Sequence, residues 1–504
     1  MLDNFTFDNE KYIAAQTEEI LERVKMFNNK LYLEFGGKLL FDYHASRVLP
    51  GYDPNVKMRL LRQLKDKADI ILCIFAGDIE RRKVRADFGI TYDSDALKLI
   101  DDLREWEIEV TAVVITRFDN QPSAVLFKNK LERRNIKVYT HYAIKGYPAD
   151  IDMIVSDNGY GKNQFIEASK PLVVVTGPGP GSGKLSTCLS QLYHEHKRGR
   201  NAGYAKFETF PIWNLPLKHP VNIAYEAATA DLRDVNMIDP FHLEAYGKAT
   251  VNYNRDIEIF PVISRILETI TGSKIYKSPT DMGVNKAGFA ITDDKAACEA
   301  AKQETIRRFF RYRCEYVMGL TDIETVNRAQ VIMQELNISE TDRKVVEPAR
   351  KAAEECRASN KGNEGVFCGA SLELKTGKII TGKNSPQFHA SSSLVLNAIK
   401  ILAEIPDRIH LLSPQIIESI HSFKKNILRT KTPSLDLEET LTALCISAIT
   451  NPTAQEAMEK LKDLHGCEMH MTHLPTTGDE GGLRRLGVNL TTDPNFGSKN
   501  LFLK

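Results

Sequence analysis

The residues best suited to chemistry lie in PLVVVTGPGPGSGKLSTCLSQLYHEH, which begins at Pro171. A β-branched apolar run passes through a glycine-rich loop with one lysine into a helical pattern. Glycines let consecutive backbone N–H groups turn inward on an anion, a lysine meets the outer phosphates, and a helix N-terminus faces the negative charge. Gly179, Pro180, Gly181, Ser182 and Gly183 form that loop, and Lys184 supplies the cation. Leu185, Cys188, Leu189 and Leu192 recur at i, i+3, i+4 and i+7, which predicts the helix, and Gly199 after His196-Lys197-Arg198 marks its end.

The loop departs from G-x-x-x-x-G-K-[ST] at two places. Pro178 stands at the first glycine position, and Leu185 rather than a hydroxyl residue follows the lysine. PGSGKLS resembles the adenylate-kinase type of loop, where the hydroxyl comes two places after the lysine. That assigns the Mg²⁺-side hydroxyl to Ser186, with Thr187 as the alternative. Residues 179–187 are thus expected to hold ATP or GTP with Mg²⁺. The competing reading is a glycine turn that joins strand to helix and leaves Lys184 solvated.

Magnesium-dependent phosphoryl transfer also needs a carboxylate near the end of a neighbouring strand. Asp78, ending DIILCIFAGD, has the position and is the expected metal carboxylate; Asp239 in VNMID and Glu208 in YAKFET are the rivals. Each is equally a helix cap or turn residue. EFGGKLL makes a second strand-end glycine turn with Lys38, read as a tight turn. The polar segments KFETFPIWNLPLKHP and VNYNRDIEIF offer Lys206, Glu208, Trp213, Asn214, His219, Asn254, Arg255 and Asp256. Arg255 could clamp a carboxylate or phosphate, and Asp256 or His242 could move a proton; structural ion pairs under a long loop are the plainer reading. In HGCEMHMTH, alternation along a strand puts Cys467 and His473 on one face and His470 on the other, so no zinc site is expected there.

To hold such a loop the chain needs a mainly parallel sheet wrapped by helices. Apolar runs at 31–35, 69–76, 109–116, 136–142, 171–176 and 202–209 predict six strands. The layout gives a Rossmann-like or P-loop-like α/β domain over 1–265 with long polar loops, a helical module over 266–357, and a second α/β domain over 366–504. In the module, Thr321-Asp322-Ile323-Glu324 forms a capping box ahead of a helix, and RRFFRYR (307–313) reads as a helix packing its aromatics. With 67 basic against 66 acidic side chains, no global field draws the chain to nucleic acid or an anionic membrane. Eight scattered cysteines without a Cys-x-x-Cys pair fit a reducing cytoplasm, and the acidic N-terminus does not read as a signal peptide.

Read end to end, the chain resembles the uncharacterised bacterial family catalogued as domain of unknown function 1846. The likeness is carried by LYLEFGGKLL, RVLPGY, GPGPGSGKLSTC, GYAKFETFPIWNLPL, PVNIAYEAATADL, VNMIDPFHL, VNYNRDIEIFPV, SPTDMGVN and GFAITDD. It implies a multidomain cytosolic protein that self-associates, and brings no reaction or catalytic residues. GASLELKTGKIITGKN separately resembles the opening hairpin of cytidine-deaminase-like domains. Their zinc signature is missing, because Ser391 follows His389-Ala390 and no Pro-Cys-x-x-Cys follows. The expectation is a nucleotide-dependent phosphotransferase or ligase acting on a small polar metabolite; the alternative is a non-catalytic sensor of a nucleotide or phosphorylated metabolite.

Overall fold

The computed structural model describes residues 6–28, 30–85, 89–363, 365–430 and 432–498. The chain divides into two compact units, Met1–Glu304 and Thr305–Lys504. Among the described residues no helix is long and apolar enough to cross a membrane.

The first unit is built on a parallel seven-stranded sheet. Its strands are β1 (Leu31–Phe35), β2 (Ala68–Phe75), β3 (Val110–Thr116), β4 (Val138–Thr140), β5 (Leu172–Thr176), β6 (Gly203–Phe207) and β7 (Gly283–Val284), in the order β7-β6-β1-β5-β2-β3-β4. Strands buried on both faces read as continuous apolar runs, which is why LVVVT in β5 and ADIILCIF in β2 lack alternation. Chain order reverses across β1: the chain leaves it for β2, β3 and β4, then returns through β5, beside β1, to β6 and β7. Ligands of open α/β sheets sit outside the carboxyl ends of the strands at such a reversal. Helix α1 (Asn9–Met26) helps hold the short edge strand β7, where Gln16 donates from Nε2 to the Val284 carbonyl at 2.8 Å.

The polar stretch after Phe210 is more ordered than its composition suggests. VNYNRDIEIFPV forms a short strand, Val251–Tyr253, paired antiparallel with Asn236–Ile238, and then opens helix α3 (Asn254–Thr271). Ile257, Phe260, Ile263, Ile266 and Leu267 are buried along one side of that helix. Those apolar positions at helical spacing outweigh the polar residues around them and the internal Pro261.

The second unit contains a four-stranded mixed sheet, β8 (Gly369–Glu373), β9 (Ile379–Lys383), β10 (Glu468–Met471) and β11 (Asn489–Thr492), ordered β9-β8-β10-β11. The expected hairpin is β8-β9, antiparallel across the TGK turn. Helices α4 (Ala390–Leu402), α5 (Leu437–Ala448) and α6 (Thr477–Leu486) meet at one buried carboxylate. Asp479 accepts from His389 Nδ1 (2.7 Å), Ser391 Oγ (2.6 Å), Thr476 Oγ1 (2.7 Å) and the Leu437 backbone N–H (3.0 Å). Three helix N-termini are thereby tied to a single anion, the charge their dipoles favour.

Candidate functional site

Strand β5 ends at Thr176, the loop occupies 177–183, and helix α2 (Lys184–Lys197) starts at the lysine. The loop tolerates little but glycine at its tight points. Gly183 has φ +91°, and a Cβ there would lie 2.7 Å from the Thr116 side chain; one on Gly177 would lie 2.5 Å from the Cys73 carbonyl oxygen. Thr116 Oγ1 donates to the Ser182 carbonyl at 2.7 Å, so the end of β3 braces the loop. Lys184 folds back over its own loop, with Nζ 3.3 Å from the Gly179 carbonyl oxygen and 3.4 Å from Ser182 Oγ. These are weak neutral partners for an ammonium, and a phosphate is a stronger one.

The two hydroxyl candidates separate. Thr187 is fully buried and takes a contact from Cys73 Sγ at 3.4 Å, whereas Ser186 is only half-buried in the first turn of α2. Burial pushes the Cys73 thiol up to about 12. Leu185 packs against the core. On the β2 side Asp78 lies in the short helix Ala76–Glu80, buried, with its carboxylate paired to Arg81. Of the two hydroxyls Ser186 is the more accessible, and the Asp78 carboxylate is engaged by Arg81.

On the other side, across β1, is a cluster the sequence only partly indicated. Glu34 on β1 sits in register with Lys206 on β6, and its Oε2 accepts from Tyr204 Oη at 2.8 Å. Lys206 Nζ lies 2.7 Å from Glu208 Oε1 and also contacts Asp256 and Tyr253, while Tyr253 Oη donates to Glu208 at 3.2 Å. Burial, only partly offset by Lys206 and reinforced by Asp256, pushes the Glu208 carboxyl up to about 7. Burial works against the Lys206 ammonium, but Asp256, Glu208 and Glu34 outweigh it and hold that lysine well above its ordinary value. Lys206 is therefore a charged anchor and not a nucleophile. Glu208 can gain or lose a proton near neutrality.

Family models for domain of unknown function DUF1846 match this chain over residues 5–337 (N-terminal part) and 341–502 (C-terminal part). The chain belongs to the DUF1846 family. It is similar to a UPF0371 protein of Clostridium tetani (strain Massachusetts / E88), 58% identical over 497 residues that cover 98% of this chain and 99% of the relative. A UPF0371 protein of Clostridium botulinum (strain ATCC 19397 / Type A) is 59% identical over 498 residues, with the same coverage. Neither description names a reaction, so the chemistry has to be argued from the site.

In this DUF1846 chain several sequence candidates have structural work elsewhere. Asp239 is fully buried; one oxygen caps a helix at His242 N (3.0 Å) and the other accepts from Thr280 Oγ1 (2.6 Å). Arg255 grips Asp234 through both Nε and Nη2. His242 Nδ1 meets Ser278 Oγ at 2.9 Å. The turn after β1 has Lys57 Nζ 3.2 Å from a Cβ placed on Gly37, and that buried ammonium pairs with Asp42 at 2.8 Å. His470 faces Thr491 Oγ1 (2.9 Å), while His473 meets Thr472 Oγ1 (3.0 Å).

Among the described residues one trio converges that the sequence did not suggest: His219 Nε2 lies 3.0 Å from Asp294 Oδ1 and 3.5 Å from Cys298 Sγ. Its chemistry is that of a cap. The Val221 N–H donates to His219 Nδ1 at 3.3 Å, so the ring proton sits on Nε2 and is donated to Asp294. A metal at Nε2 would need the opposite tautomer, turning two N–H groups against each other.

Proposed function

We propose that the protein binds ATP or GTP with Mg²⁺ at residues 177–187 and transfers a phosphoryl group to, or activates, a small polar metabolite. One observation carries the reading: the glycine loop, Lys184 and the start of α2 stand at the carboxyl edge on a central strand, with buried carboxylates on either side, Asp78 beyond β2 and Glu208 beyond β1. Lys184 exchanges the Gly179 carbonyl for phosphate oxygens, and the backbone N–H groups of the loop and first helical turn orient the phosphates. Ser186 and Asp78 would hold Mg²⁺, which supplies neutralising charge to the phosphates. Glu208 receives the acceptor's proton, and Lys206, Asp256 and Tyr253 fix its direction.

The second reading is a non-catalytic sensor of a nucleotide or phosphorylated metabolite. It is favoured by Asp78 already being paired with Arg81. Calorimetric titration of ATP and GTP, with and without Mg²⁺, tests the site, and phosphate release across a metabolite mixture separates the readings. Tight binding that is indifferent to Mg²⁺, with no nucleotide consumed, would sink the enzyme and leave the sensor.

A further inference from the structure

Arg117 follows the last residue of β3, two strands away from the loop's own strand, yet its Nη2 donates to the Gly181 carbonyl at the loop tip, 2.5 Å away. Its backbone has φ +48°, a left-handed conformation that disfavours any residue with a Cβ. Its guanidinium carbon lies 3.4 Å from the centroid of the Phe75 ring, at the end of β2. The aromatic face sets the direction of the guanidinium and leaves its remaining N–H groups available in the plane. The side chain is exposed, and apart from the adjoining residues nothing lies within 4 Å of a Cβ built on Gly181. A cation is thus aimed at an open loop tip while bonded to a neutral carbonyl.

The local charge balance points the same way. Desolvation lowers the Arg117 pKa, Asp78 opposes that fall, and Arg81 adds to it. Arg117 thus has a second cation, Arg81, beside it and only Asp78, itself paired with Arg81, as an anion acting on it, so a phosphate would be a stronger partner than the Gly181 carbonyl. We infer that Arg117 is the second phosphate-binding cation of the loop, and that it leaves the Gly181 carbonyl to take the terminal phosphate of a bound nucleoside triphosphate. This rests on the phosphate-loop reading above. Lys184, at the root of the helix, meets the phosphates that di- and triphosphates share; Arg117, arriving from the tip, distinguishes the triphosphate.

The test is calorimetric titration of ATP, ADP and inorganic tripolyphosphate into the full-length wild-type protein and the Arg117→Ala, Arg117→Gln and Lys184→Ala variants. Arg117→Gln removes the charge but keeps a polar, planar side chain of shorter reach at the loop tip, so it guards against a loop that collapses in the alanine variant. The expected result is at least a tenfold loss for ATP and tripolyphosphate in both Arg117 variants, less than a threefold loss for ADP, and comparable losses for ATP and ADP in Lys184→Ala. If both Arg117 variants keep the wild-type ratio of ATP to ADP affinity while Lys184→Ala weakens both, the arginine assignment fails and the loop reading stands. Wild-type protein that binds none of the three ligands would overturn both.

Discussion

Glu208 and Asp479 are both buried carboxylates near helix or strand ends, and they behave in opposite ways. Asp479 has His389, Ser391, Thr476 and the Leu437 N–H around it, and these outweigh burial, holding its pKa below the ordinary carboxylate range. Glu208 has Lys206 and Tyr253, but shares that lysine with Asp256, and burial drives it up to about 7. Desolvation is common to both, so the donors decide. A carboxylate supplied with dedicated donors is part of the frame; one that competes for a shared cation is left able to take a proton.

The largest effect expected is on the frame. Asp479→Ala removes the acceptor shared by four donors, two of them, Ser391 and the Leu437 N–H, fully buried, and should cost the second unit about 3–5 kcal/mol, read as lost hydrogen-exchange protection in α4, α5 and α6 of the full chain. Nucleotide affinity should not change; if it does, the division between frame and site is wrong. Lys184→Ala should do the reverse, weakening nucleotide binding by about 1.5–3 kcal/mol, roughly ten- to a hundredfold, with unchanged protection in both units. Unaltered affinity would make the loop a turn.

Glu208 gives the comparison a sign. Its folded pKa is raised above the unfolded value, so the folded state binds the extra proton and the stability of the first unit falls as pH rises from about 4.5 through 7. Glu208→Gln should flatten that slope, with the variant more stable than wild type by on the order of 1–2 kcal/mol at pH 8. A parallel pair of pH–stability curves would show that Glu208 does not titrate there. The smallest effect belongs to His389. Burial lowers its pKa, but Asp479 more than restores it, so it lies above the ordinary histidine value. The pair's contribution is complete below about pH 6.5 on the histidine side and is lost as pH rises through the folded pKa. An imidazole NMR titration should find the His389 midpoint above 6.5 in wild type and lower in Asp479→Asn.

The loop was legible because strand, glycines, lysine and helix are contiguous from Leu172 to Lys197. The parallel α/β fold was legible for a similar reason, since four apolar residues and a β-branched threonine are enough to announce a strand such as LVVVT. Arg117 was not, because it reaches the loop only through the strand order β5-β2-β3, which no local pattern encodes. Glu34 was hidden inside LYLEF, where an acid reads as the solvent face of a strand. The two-residue strand β7 is too short to carry a period, and Gln16, more than 260 positions away, holds it in place. Residues 251–271 misled in the other direction: Asn, Arg and Asp at the start of α3 resemble a loop, and only the apolar residues that follow betray the helix.

Strand β1 stands between the two chemical ends of the site and acts as a ruler. Its neighbours are β5, which leads into the glycine loop, and β6, which Glu208 follows directly, and the Gly36 N–H extends the pairing by bonding the Phe207 carbonyl at 2.9 Å. Two strand spacings come to about 10 Å. A ligand that touches the loop with its phosphate and Glu208 with its acceptor hydroxyl must span that gap, and the interval cannot widen without breaking main-chain bonds of the central sheet. On the proposed reading, selection by length would be set by the backbone, and side-chain substitutions around the site would retune chemistry without changing reach.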